Sequence, residues 1–211
     1  MTCPLCQGHD CPEFARSTRR TFYRCAACGL VSVPAEQVLP LEDEKKRYDL
    51  HQNFPDDAGY EAYLSRLFKP VLARISPGSR GLDFGCGPEP VLANLFRKAG
   101  HSMATYDLFY QADAAVLDTR YDFITATEVV EHLRDPALEL DRLWRCLKPA
   151  GILGIMTQWI VPQNAFHQWH YKNDWTHIRF YSPETFAWLG RKWGAEVVFP
   201  ARDVALFLKL G

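Results

Sequence analysis

The chain has 211 residues, 47% hydrophobic and 23% charged, enough for one substantial α/β core with a small appendage. A formal net charge of -1 gives no global electrostatic case for nucleic acid or an anionic membrane, and no stretch approaches the roughly 18 to 20 apolar residues of a membrane span, so a soluble, cytoplasmic protein is expected. Seven cysteines, four of them in two Cys-x-x-Cys pairs, fit a reducing compartment and metal binding better than a disulfide framework.

The two pairs, Cys3-Pro-Leu-Cys6 and Cys25-Ala-Ala-Cys28, lie on either side of residues 7–24. A Cys-x-x-Cys turn presents two sulfurs from one tight loop, and two such turns complete a tetrahedral shell. With β-prone runs at 21–24 and 30–33 and a reversal at Gly29, residues 1–34 resemble a zinc ribbon whose ligands are Cys3, Cys6, Cys25 and Cys28. Four thiolates leave no open position for catalysis, and so short a stretch needs a staple to fold, so the zinc is expected to be structural. Unliganded thiols or a redox pair is the other reading. His9 and Cys11 are spare candidates that are not expected to bind. Arg16, Arg19, Arg20 and Arg24 outweigh Asp10 and Glu13, which permits an RNA or phosphate contact, but sparse aromatic interleaving favours a solvated basic loop.

Residues 35–57, with their prolines and a charge run over 42–47, read as a linker with room for a short helix. Tyr60, Leu64, Leu67, Phe68, Val71 and Ile75 then recur at helical spacing, which predicts an amphipathic helix despite Pro70. A brief buried strand at 82–84 runs into Gly85 and Gly87, and a helix follows over 91–99 with Gly100 as its C-cap. The next strand, 103–106, delivers Asp107 at its carboxyl end. In doubly wound sheets ligands lie across those ends, and an acid about twenty residues past the glycines takes ribose hydroxyls. Pro90 stands where a dinucleotide fingerprint needs its last glycine, so that pattern fails. Residues 114–117 offer the only apolar run for a third strand, with Asp118 towards an adenine.

Asp83-Phe-Gly85-Cys86-Gly87 resembles the first motif of class I S-adenosylmethionine-dependent methyltransferases, Asp/Glu-x-Gly-x-Gly-x-Gly, with Glu89 in the place of the final glycine. The resemblance continues through a fourth strand at 121–128, a helix at 136–147, a turn at 148–151 and a fifth strand at 152–157. It implies a class I methyltransferase (Rossmann-like) α/β domain over 58–211, with six or seven strands and helices on both faces of the sheet. It also implies S-adenosylmethionine as cofactor, with Asp83 near its amino group, Asp107 on its ribose, and Gly85, Cys86, Gly87, Leu108, Thr127 and Glu128 around it. Two ordinary strand-end acids at 83 and 107 are the bland alternative.

In Glu128-Val-Val-Glu131-His132, positions i, i+3 and i+4 would share one helical face, so two carboxylates and an imidazole could converge. The pentad resembles the Glu-x-x-Glu-His element of metal-dependent small-RNA 3′-terminal 2′-O-methyltransferases and a similar one in ubiquinone-pathway O-methyltransferases. There a later histidine ahead of an aromatic residue completes the site, and His177-Ile-Arg-Phe180 stands in a comparable place. This implies Mg²⁺ or Mn²⁺ on Glu128, Glu131, His132 and His177, able to lower the pKa of a substrate hydroxyl. In many class I methyltransferases, by contrast, the acid lines the cofactor pocket and the histidine merely packs.

Residues 158–181 gather histidines, Asp174 and aromatics where this family places substrate-binding residues. His170 and Asp174, i and i+4, form either a general base with its orienting acid or a structural hydrogen bond, while Trp159, Phe166 and Phe180 are expected to fill a lid core. Ser182-Pro183-Glu184 starts a helix that buries Phe186, Leu189 and Trp193, and 195–199 with 204–209 form a closing hairpin. The leading expectation is in-line O-methylation of a small hydroxylated or quinol-like metabolite. RNA methylation is the second reading, and a non-catalytic cofactor-binding module, hinted at by Glu89, is the third.

Overall fold

A computed structural model describes residues 1–49 and 58–211. The main sheet has six strands: β4 (Arg80–Phe84), β5 (Ser102–Tyr106), β6 (Tyr121–Thr127), β7 (Leu147–Met156), β9 (Glu196–Ala201) and β10 (Val204–Leu208). Their spatial order is β5-β4-β6-β7-β10-β9. The first four are parallel, and β10 runs antiparallel to both β7 and β9. Central strands of a parallel sheet are covered on both faces, which is why β6 is buried almost throughout rather than on alternate residues. Phe123 faces α2 (Ala58–Leu72) and α3 (Val91–Lys98), whereas its neighbour Ile124 faces α4 (Pro136–Arg145) and α6 (Pro183–Trp193). The result is a class I methyltransferase-like sheet with helices on both faces.

The expected third strand is absent among the described residues. Ala114–Asp118 is a 3-10 turn that the Asp113 carboxylate caps by accepting from the Ala115 amide at 3.0 Å, and β5 is left as the sheet edge. The four-residue run was too short to hold a strand against a local cap. The turn expected at 148–151 lies within β7, where the pairing jumps from Tyr121–Leu147 to Phe123–Ile152 and Ala150 adopts a φ of 60°. Among the described residues no helix is long and apolar enough to cross a membrane.

The expected boundary near residue 34 divides the chain but not the packing. A second sheet joins β1 (Glu13–Arg16), β2 (Thr21–Arg24) and β3 (Val31–Ser32) to β8 (Arg179–Phe180), a strand from the expected lid. Beneath it, Phe22 meets Phe166 and Phe180 edge-on at centroid distances of 4.8 and 5.7 Å, so ribbon and lid share one core with α5 (Gln163–Phe166). Of the expected linker, residues 50–57 lie outside the described part. The remainder forms a 3-10 turn, Ala35–Gln37, and α1 (Leu41–Tyr48), whose buried Glu44 accepts from Arg134 at 2.7 Å.

Candidate functional site

The glycine turn leaves β4 at the carboxyl edge of the sheet. The Gly85 and Cys86 amides both donate to the Tyr106 carbonyl, at 2.7 and 3.1 Å, which ties the turn to the end of β5. Gly85 and Gly87 have φ of 75° and 67°, the left-handed region that a side chain resists. A Cβ on Gly85 would fall 2.2 Å from Val129, whereas one on Gly87 would meet nothing within 4 Å, so Gly87 presents bare backbone to an open face. Asp107 holds the loop: Oδ2 accepts from the Gly87 amide at 3.0 Å and Oδ1 from the Phe109 and Tyr110 amides at 2.9 and 3.2 Å. Leu108 between them is exposed, and so is Glu89.

Asp83 is buried and accepts from the Thr125 hydroxyl at 2.9 Å, and its burial pushes the carboxyl up to about 6. Burial likewise pushes the half-buried Cys86 thiol up to about 12. At the end of β6, Thr127 Oγ1 and Glu128 Oε1 are buried with no partner among the described residues. Orphaned polar atoms beside a left-handed glycine turn suit a polar ligand laid across the strand ends, which is the deficit a nucleoside cofactor would fill. A cleft of about 380 Å³ beside Ile75, Pro77, Asp122 and Gly151 opens at the opposite ends of the strands, away from this constellation.

The Glu-x-x-Glu-His element is not α-helical. Glu128 takes a φ of 52° as the strand ends, and Val130–His132 is a single 3-10 turn, so the expected helical face does not exist. Three of the four residues still converge, because the ligand atoms of Glu131, His132 and His177 lie within 4.8 Å of one another. Glu128 is joined through Tyr171, whose hydroxyl lies 3.1 Å from Glu128 Oε2, 2.5 Å from Glu131 Oε1 and 3.1 Å from Thr157 Oγ1. His132 Nδ1 faces the Thr176 carbonyl at 3.0 Å and His177 Nδ1 the Tyr171 carbonyl at 2.8 Å. A carbonyl only accepts, so each Nδ1 carries a proton, and in His177, which burial keeps neutral, Nε2 presents a lone pair, as in metal-ligating histidines. Burial raises Glu128 to about 8 and Glu131 to about 7 and lowers His177 to about 4. A cation among them would offset the cost of charging the carboxylates, so the donor set fits a divalent ion with mixed oxygen and nitrogen ligands.

His170 and Asp174 are not brought together. His170–Asn173 is a 3-10 turn, in which residues three apart eclipse and residues four apart diverge, and Asp174 is already extended. His170 is exposed. Asp174 Oδ1 accepts from the Thr176 amide and hydroxyl at 2.9 and 2.7 Å, while Oδ2 stands 3.9 Å from His177 Nε2. Two contributors escaped the sequence reading: Tyr171, visible there only as one of many lid aromatics, and Tyr48, whose ring lies 5.2 Å from that of His132 at the end of a helix read as linker.

In the ribbon, Cys3 and Cys28 sulfurs are 3.6 Å apart, Cys6 and Cys25 sulfurs 3.4 Å, and all four fall within 4.8 Å. A tetrahedral zinc with bonds near 2.3 Å places sulfurs about 3.8 Å apart, so the cluster fits that ion. Cys11 points at the Gly8 carbonyl instead, and His9 pairs with Thr2. The basic loop is largely spoken for: Arg16 pairs with Glu13, Arg24 with Glu184, and Arg20 is buried rather than solvated.

A family model described as a methyltransferase domain matches residues 13–198. No curated protein sequence matches the chain. Among solved structures, the fold is similar to 1,6-didemethyltoxoflavin-N1-methyltransferase of Burkholderia thailandensis, with bound 1,6-didemethyltoxoflavin and S-adenosylhomocysteine: TM-score 0.55, 16% identity, covering 93% of this chain and 98% of that one. Streptomyces venezuelae DesVI gives a TM-score of 0.52 at 13% identity over 81% and 99% of the two chains. An O-methyltransferase family protein from Burkholderia thailandensis gives 0.52 at 13% identity over 80% and 63%. At such identities the likeness is one of fold.

Proposed function

The chain belongs to the methyltransferase-domain family, and on that premise we propose that it O-methylates a small hydroxylated or quinol-like metabolite at a divalent cation held by Glu131, His132 and His177, with a structural zinc on Cys3, Cys6, Cys25 and Cys28. It is an S-adenosylmethionine-dependent methyltransferase. The observation that carries the finer reading is the convergence of the three ligand atoms within 4.8 Å beside Glu128, at the same carboxyl edge as the Gly85–Gly87 turn.

The turn, Asp107, Leu108 and the orphaned Thr127 and Glu128 oxygens would hold the cofactor, which when bound supplies an electrophilic methyl group. The chain then has to place an oxygen nucleophile in line with that methyl and take away its proton. A cation at Glu131, His132 and His177 supplies Lewis acidity that makes a bound hydroxyl more acidic at neutral pH. The two carbonyls on the Nδ1 atoms fix the imidazole orientations, and Tyr171 keeps Glu128 and Glu131 facing the same point. RNA as acceptor drew on the basic ribbon and on the resemblance at the Glu-x-x-Glu-His element; the pairing of Arg16 with Glu13 and Arg24 with Glu184 and the burial of Arg20 weaken the first ground and leave the second standing.

The test is radiolabelled methyl transfer from S-adenosylmethionine into fractionated cell extract, with and without added Mg²⁺ or Mn²⁺. Label is expected in the small-molecule fraction, and only with the cation present. Full turnover after exhaustive chelation, with the ribbon metal retained, would remove the cation from the mechanism. Label in RNA would replace the acceptor, and an absence of cofactor binding would leave a non-catalytic module.

A further inference from the structure

Arg20 occupies the turn between β1 and β2, yet its side chain is only 4% exposed because it leaves the ribbon and enters the lid. Nη1 donates to the carbonyls of Asp174 at 2.9 Å and Lys172 at 3.4 Å, and Nη2 to that of His177 at 2.5 Å. The guanidinium lies 5.5 Å from the ring centroids of Phe22 and of Trp175. Burial lowers its pKa only to about 10, so it remains a cation at neutral pH. Withdrawing a guanidinium from water is costly, and its planar fork here meets three backbone oxygens of a single loop.

Local ties also shape that loop, with Asp174 accepting from the Thr176 amide and hydroxyl and the Ile178 amide donating to the Glu131 carbonyl at 2.8 Å, and Arg20 adds to them a link from the ribbon. After the 3-10 turn ends at Asn173 the backbone runs irregularly to β8, and within it stand Asp174 and His177, facing one another at the cluster. A second arginine repeats the link from the other side: Arg179 Nη1 donates to the Val33 carbonyl of the ribbon at 3.2 Å and Nη2 to the Arg134 carbonyl at 3.0 Å. Ribbon and loop are thus cross-linked at both ends of the segment that bears the site.

We propose that the ribbon is a working part of the candidate catalytic site, with Arg20 as the positioning residue that sets the 171–177 loop and so aims His177 and Asp174 at Glu131 and His132. The proposal rests on the reading that this cluster serves the methyl acceptor. It assigns the cysteine-bearing module a role beyond its own folding: the loop is held in register by a side chain that only a folded ribbon can present.

The experiment uses the full chain with its ribbon metal loaded, comparing wild type with Arg20→Met, which keeps the stem and loses all donors, and Arg20→Lys, which keeps the charge and loses the fork. Long-range proton–nitrogen spectra of the imidazoles report on His177, with His9 as a remote control, and calorimetry with S-adenosylhomocysteine reports on the cofactor side. In Arg20→Met the His177 signals are expected to move while metal content and S-adenosylhomocysteine affinity stay as in wild type, the rate of radiolabelled methyl transfer into the small-molecule extract fraction falls by about tenfold, as for lost outer-shell partners, and Arg20→Lys lies between. Wild-type His177 signals in Arg20→Met overturn the proposal. Should that variant fail to retain its metal, Arg20→Lys decides, and wild-type His177 signals there overturn it equally. Displaced His177 signals with unchanged turnover would keep Arg20 as the loop's anchor and overturn instead the assignment of the cluster to the acceptor.

Discussion

Asp83 is an acid that the fold prefers protonated. In the unfolded chain its pKa is near the ordinary 3.8, in the folded chain about 6, so between those values the native state holds the extra proton. Its stabilising share is therefore complete below about pH 4, falls as pH rises to about 6, and is absent above, with a span of up to about 3 kcal/mol. Asp83→Asn keeps an acceptor for Thr125, and urea unfolding across that window is expected to show the slope flattened relative to wild type. The two glycines separate stability from binding. Gly85→Ala drives a methyl group against Val129 and is expected to lower stability by about 1–3 kcal/mol in thermal unfolding. Gly87→Ala adds only left-handed strain of about 1–2 kcal/mol, but its methyl enters the open face, so S-adenosylhomocysteine affinity should fall further than stability does. At this scale the sequence showed which residue types were present but not their partners. Asp174 four positions beyond His170 reads as a pair only on an α-helix, and one 3-10 turn leaves its carboxylate accepting from Thr176 instead.

Among elements, those with strong local signals were legible. Ser182 caps α6 by accepting from the Thr185 amide, as the sequence predicts, and Gly194 ends it in the left-handed region. Elements that exist because of distant partners were not. β1 carries no periodic pattern and is stabilised by pairing with β2, and the two-residue strand β8 exists only against β3. The helix expected at 128–132 failed because strand exit forces Glu128 into a left-handed conformation before a turn can start. The same dependence makes a prediction for the shared core. Phe22→Ala should cost about 3–5 kcal/mol, and hydrogen exchange should accelerate in 166–180 as much as in the ribbon, because the ring packs on Phe166 and Phe180. Protection lost in the ribbon alone would mean that the lid holds itself.

For the whole molecule, the α/β class and the cysteine pairs follow from pattern and spacing, and the strand series from the resemblance to class I methyltransferases, short of its third strand. The union of ribbon and lid does not, since β3 and β8 are brought together by three-dimensional packing that no local pattern encodes. Stripping the metal with a chelator is therefore expected to lower a single calorimetric transition of the full chain, whereas two separate transitions would mark the ribbon as an independent folding unit.

The link from Arg20 to the Lys172 carbonyl spans 152 positions of chain. At roughly 5–20 residues per second of synthesis, the ribbon's arginine waits about eight to thirty seconds for its partners to be made. During that interval the ribbon hairpin has neither β8 at its edge nor Phe166 and Phe180 over Phe22. The cysteine cluster, complete once Cys28 has emerged, is with the β1–β2–β3 pairing among the ties that the nascent ribbon can make early. On the proposed zinc site, metal supply during translation, rather than in the finished protein, is expected to set the yield of folded chain.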